Sequence, residues 1–125
     1  MTARSARSLR FSPDMRLRRG VDFARIKTRG DRLVKGCLIA NWLELSDEES
    51  SRLGVITSRR IGGSVVRSRA RRLLRECFRL NQHRLDRPVD LVLIARRSIA
   101  ELKYNEVEAD YLHVLQRANL LKPDL

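Results

Sequence analysis

VVRSRARRLLRECFR, residues 65–79, carries six arginines and a single glutamate in a pattern of helical period. With Arg67 set at 0° and about 100° per residue, Val66, Ala70, Leu73, Leu74 and Cys77 fall between about 240° and 340°. That is an apolar stripe able to face a core. Arg67, Arg71, Arg75 and Arg79 fall at about 0° to 120° and Arg72 at about 140°, a basic ribbon away from the stripe. Arg69 and Glu76 lie on its far shoulder. Three successive i,i+4 arginine pairs and a cation at the positive end of the helix dipole cost about 1–2 kcal/mol together. Counterion release on a phosphate backbone offsets such a penalty.

Working outward, RRIGG at 59–63 is a glycine-bearing turn into a helix from Ser64 to about Leu85, which Pro88 ends. Arg52–Ser58 reads as a strand before it, and Val89–Ala95, almost continuously apolar, as a buried strand after it. Leu33–Leu45 is strand-forming, with a turn or bulge at Gly36. Across the polar loop at 46–51 it is expected to form a hairpin with Arg52–Ser58. Leu38, Ala40, Trp42 and Glu44 share one face of this strand. Val21–Thr28 is a short helix with Phe23 and Ile26 on one face. Asn105, with Glu108 three residues on, is expected to cap a last helix whose apolar positions run from Val107 to Leu121. The order is α-β-β-β-α-β-α, an α+β sandwich in one domain at 17–122, with 1–16 a flexible basic arm.

The chain has 125 residues and a net charge of +12, and 23 of its 27 cations are arginine. Residues 52–97 hold 13 arginines against three acids, and residues 1–32 hold ten cations against three acids. Arginine forks onto phosphate as lysine cannot, so the asymmetry points to a polyanionic partner. No apolar run is long enough to span a bilayer. Cys37 and Cys77 lack metal-site spacing and read as buried thiols in a reducing cytoplasm. His83 and His113 lie on separate helices, the carboxylates are scattered, and Asp47, Glu48 and Glu49 sit in a solubilising loop, so no protein active site or metal site is expected. The arginine-rich first residues also fit a transit peptide. Their apolar residues are too sparse for a good amphipathic helix, which favours a nucleic-acid-binding arm.

RRIGGSVVRSRARRLLRE, residues 59–76, resembles the signature of the bacterial ribonuclease P protein component. Arg59, Arg60 and Gly62 match its basic pair and glycine, Arg67-Ser68-Arg69 its Arg-Asn-Arg, Arg71-Arg72 its next basic pair, and Arg75-Glu76 its end. RLRRGVDFARI, SRLGVITSRR and DLVLIARR resemble further family segments, so the likeness runs in order over 17–117. Ser68 replaces the usual Asn, and Lys27 stands where an aromatic is common. An aromatic usual near Ala40 is absent, and Trp42 is expected to substitute for it.

The resemblance implies the ribosomal-protein-like sandwich with a left-handed β-α-β crossover, against the usual hand. It implies a subunit of a tRNA-processing endoribonuclease whose RNA subunit, with Mg2+, removes the 5′ leader of precursor tRNA. The protein's partners are then that RNA and precursor tRNA. Arg59, Arg60, Arg67, Ser68, Arg69, Arg71, Arg72, Arg75 and Arg79 are expected to bind RNA, and Phe23, Ala40 and Trp42 to line a leader cleft. Rival readings are a ribosomal or other structural RNA-binding protein, a DNA-binding regulator, and a nuclease acting alone. The strand-rich remainder argues against a helix-turn-helix regulator.

Overall fold

The computed structural model describes residues 11–123. Its elements are α1 (Gly20–Arg29), β1 (Asp31–Lys35), β2 (Leu38–Glu44), β3 (Arg52–Ile56), α2 (Ser64–Asn81), β4 (Val89–Ala95) and α3 (Tyr104–Arg117). The order expected from sequence holds, and Val89–Ala95 forms its strand end to end. The sheet order is β1-β2-β4-β3. β1 and β2 form a tight antiparallel hairpin about Gly36, whose φ of +53° lies in the left-handed region that glycine enters without penalty.

The hairpin expected between β2 and β3 does not form. β4 lies between them, antiparallel to β2 and parallel to β3. The reason is burial: β4 is apolar along almost its whole length and takes the central position, where both faces are covered. The loop at 46–51 therefore passes over one strand rather than closing a hairpin. β3, α2 and β4 form a parallel crossover unit.

The sheet separates two apolar layers. Leu38, Ala40 and Trp42 of β2, with Leu91 and Leu93 of β4, pack against Leu74, Cys77 and Phe78 of α2 and Tyr111 and Leu115 of α3. On the opposite face Val92 packs with Leu17 and Ile26, and Phe23, Leu43 and Ile94 border that cluster. α1 thus covers one face of the sheet, and α2 and α3 cover the other.

Two local expectations shift. The last helix begins one residue before Asn105, and it is Glu106 whose carboxylate accepts the Lys103 backbone N–H at 3.0 Å. Glu108 instead accepts from the Tyr104 hydroxyl and the Asn81 amide. The segment assigned to the arm docks from residue 11: Phe11 lies edge-on to Phe78 with ring centroids 5.7 Å apart, and Arg16 bridges to Leu53 beside β3. Residues 1–10 of that arm lie outside the described residues.

Both cysteines are free and buried. The Cys37 backbone N–H donates to the Asp110 carboxylate at 3.0 Å, tying the β1–β2 turn to α3. Burial, with Asp110 alongside, pushes the Cys37 thiol up to about 12.

Candidate RNA interface

The basic ribbon forms as its periodicity requires. Ala70, Leu73, Leu74 and Cys77 are buried on the core side of α2, while Arg67, Arg71 and Arg75 are half-buried and Arg72 is exposed. The helix begins at Gly63 without a side-chain cap and without an acid in its first turn. Among the described residues, Arg67, Arg71, Arg72 and Arg75 form no ion pair with a carboxylate. Arg71 instead donates to the hydroxyls of Thr57 at 2.7 Å and Ser68 at 3.2 Å, contacts that orient the guanidinium and leave its charge intact. Ser68, in the place of the usual Asn, is exposed and occupied in this way.

Two members of the predicted set serve the fold as well. Arg69 donates to the Ile99 and Leu102 carbonyls, bracing the segment that leads into α3. Arg79 pairs with Glu76 one turn back, which raises its pKa. Phe78, at about 20° on the same wheel, lies between ribbon arginines yet is fully buried. Phe11, packed edge-on against it, accounts for this: a chain segment remote in sequence closes that end of the ribbon.

Arg59 and Arg60 are exposed in a short 3-10 turn just before α2. Two further arginines, Arg96 and Arg97, lie beside them. Arg97 donates from Nε to the Arg60 carbonyl at 3.1 Å, and Arg96 donates to the Gly36 carbonyl at 3.0 Å. Arg60, Arg96 and Arg97 line one shallow hollow with Ser58 at the ends of β3 and β4. The run DLVLIARR, ending where a buried strand reaches solvent, was the available sequence signal.

The three residues expected to line one cleft do not lie together. Phe23 lines a hollow of about 260 Å3 between α1 and the sheet. Ala40 and Trp42 do not: they are buried on the opposite face, against α2 and α3. The two do share a face, as alternation requires, but that face turns away from α1. The sheet side of the cleft is made by Asn41, Ile56, Val92 and Ile94, with Lys27 and Arg32 as its cations. Lys27, where an aromatic is common, thus brings a charge to the cleft. Asn41 is fixed by an amide bond to the Asp31 carbonyl at 3.3 Å. Gly54 admits the aromatic ring: a Cβ there would lie 2.6 Å from Phe23 ring atoms.

α1 is held in place by charge. Asp90, fully buried on β4, accepts two bonds from Arg52, at 2.8 and 2.7 Å, and one from Arg25 of α1 at 3.1 Å. Arg25 also reaches Asp22 on its own helix.

A convex arginine strip beside a cleft with one aromatic wall and a cationic edge defines an RNA-binding α+β protein. The Ribonuclease P family matches residues 11–119, and the chain belongs to that family. It is 34% identical over 106 residues to the ribonuclease P protein component of Alkaliphilus oremlandii, covering 85% of this chain and 92% of that one. It is 36% identical over 104 residues to that of Pelotomaculum thermopropionicum, covering 83% and 92%. The RNase P protein of Thermotoga maritima superposes with a TM-score of 0.73 at 27% identity, over 82% of this chain and 96% of that one. That of Staphylococcus aureus has the same fold, with a TM-score of 0.78 at 23% identity, over 86% and 98%. The chain is a subunit of a tRNA-processing endoribonuclease, a ribonucleoprotein in which its partner is RNA. No helix among the described residues is long and apolar enough to cross a membrane.

Proposed function

We propose that the chain works in the cytoplasm through two surfaces. Arg59, Arg60, Arg67, Arg71, Arg72 and Arg75 dock on the folded catalytic RNA, mainly through phosphates and so by shape. Ser68 orients Arg71 in this strip, while Arg69 and Arg79 lie at its margins. The cleft between α1 and the sheet takes the single-stranded 5′ leader of precursor tRNA. Phe23 offers a stacking face, Ile56 and Ile94 an apolar floor, and Lys27 and Arg32 neutralise its phosphates. Arg96 and Arg97 extend the basic surface beyond the strand ends that form this floor.

The RNA subunit carries the cleavage chemistry, with Mg2+ held mainly by RNA. Among the described residues no group of three or more His, Cys, Asp or Glu side chains is placed to share a metal ion. The protein's contribution is affinity and register: it holds the leader so that the scissile bond meets the RNA's reacting groups.

The observation that carries this reading is the row Arg67, Arg71, Arg75 along α2, half-buried yet without a carboxylate partner among the described residues. Binding by the reconstituted holoenzyme tests the cleft. Phe23→Leu keeps an apolar side chain but removes the ring, and a stacked base is worth about 1–3 kcal/mol. Affinity for precursor tRNA is expected to fall at least about fivefold, with mature tRNA unaffected. Equal losses for both would remove the leader role.

A further inference from the structure

Phe23 has a second side. Beyond the ring from the cleft, between the N-terminal segment and α2, lies another hollow of about 200 Å3, with Gly54 in its wall. Arg16, Arg18 and Arg75 line it, together with Phe11. Phe11 is fixed by its edge contact with Phe78, and the Arg16 guanidinium sits over the Phe11 ring, 5.1 Å from its centroid. This cation–π contact holds the fork without neutralising it. Arg75 enters from the ribbon, half-buried; burial, then the charges of Arg16 and Arg71, pull its pKa down. None of these three arginines has an ion-pair partner among the described residues. Three guanidinium groups therefore converge on one concave place with no internal anion. The docking of residues 11–17 against β3 and α2 brings them together.

We propose that this hollow seats one phosphodiester group of a bound RNA strand, with Arg16, Arg18 and Arg75 as its donors. Its volume falls short of the about 300–1,000 Å3 of pockets that enclose a small molecule. It suits one group of a longer chain rather than a free nucleotide. Its walls locate the strand: Phe23 is shared with the cleft and Arg75 with the ribbon. A strand passing between those two surfaces crosses it. The inference rests on the RNA-binding reading above. The phosphate belongs either to the leader or to the catalytic RNA.

The test uses full-length Arg16→Gln/Arg18→Gln protein, with a thermal melt to verify folding; both positions are exposed. Affinity is measured against salt for the ribonuclease P RNA, and for precursor and mature tRNA on the reconstituted holoenzyme. One lost phosphate contact lowers the log–log slope by about 0.7–0.9. A drop for the catalytic RNA assigns the phosphate to that partner; a drop for precursor but not mature tRNA assigns it to the leader. Arg16→Lys/Arg18→Lys is expected to keep the slope, because charge rather than shape sets it. Arg71→Gln/Arg72→Gln, on the ribbon, serves as the reference. If it lowers the slope while the Arg16/Arg18 variant changes none, the hollow holds no phosphate and the inference is overturned alone. If neither variant changes any slope, the RNA-docking reading falls as well.

Discussion

Asp90 sits in the middle of an apolar strand, and it is the single buried carboxylate among the described residues. Such a group is tolerated only when paired and hydrogen-bonded, and Arg52 and Arg25 supply both. Because Arg25 belongs to α1, the pair also clamps the helix that carries Phe23 onto the sheet. Asp90→Asn is expected to cost about 3 kcal/mol, the low end for breaking a buried pair. The low end applies because the arginine side chains are 37% and 31% exposed and rehydrate in part. Urea denaturation measures this; an unchanged midpoint would show that the clamp is not structural. The run VDLVLIA reads only as a buried strand, and nothing local to it names the partners of its lone Asp. Residue-scale reading failed where a contact depends on a remote segment. Nothing local to 65–79 tells that Phe11 buries Phe78, or that Trp42 faces α2 and α3 rather than α1.

Elements were more legible than their pairing. The helical period read from Ser64 to about Leu85 forms an α-helix over Ser64–Asn81, with a short 3-10 turn at Gln82–Arg84 after it, and the apolar run at 89–95 forms its strand in full. Neighbourhood in the sheet was not legible, because hydrophobic patterning tells which strand is buried on both faces but not which strands flank it. The hairpin reading joined two strands close in sequence, and β4 displaced it by burying more apolar surface between them. For α2, the ribbon's penalty is itself measurable. Arg67→Gln removes one like-charge i,i+4 pair and a cation from the first turn, where the dipole disfavours it. The Arg67 Nε is also buried without a partner among the described residues. The variant is expected to be more stable by about 0.5–1 kcal/mol and to bind the catalytic RNA more weakly. The stability gain should shrink at high salt, as screening already relieves the repulsion. A loss of stability would mean that Arg67 supports the native helix rather than burdening it.

Across the whole molecule the arginines sort by what holds them. Arg25, Arg52, Arg79 and Arg87 rest on carboxylates, so their charge is largely balanced within the fold. Arg69, Arg96 and Arg97 rest on backbone carbonyls, and Arg71 on hydroxyls. Neutral acceptors fix a guanidinium in place yet leave its full charge for a partner. Much of the excess of cation over acid is thus carried by the second group and by Arg16, Arg18, Arg59, Arg60, Arg67, Arg72 and Arg75, with Lys27 and Arg32 at the cleft. Two kinds of substitution should therefore behave in opposite ways. Arg96→Gln/Arg97→Gln is expected to leave the urea midpoint nearly unchanged while flattening the salt dependence of RNA binding by about 0.7–0.9 per lost phosphate contact. Arg52→Gln is expected to lower the midpoint, since it uncovers Asp90, and to leave that slope alone. The contrast needs both measurements on both variants, because a protein that is merely unstable loses affinity at every salt concentration without changing the slope. If Arg52→Gln flattened the slope as much as the Arg96/Arg97 variant, internal pairing would not be what separates structural from RNA-binding arginines in this fold.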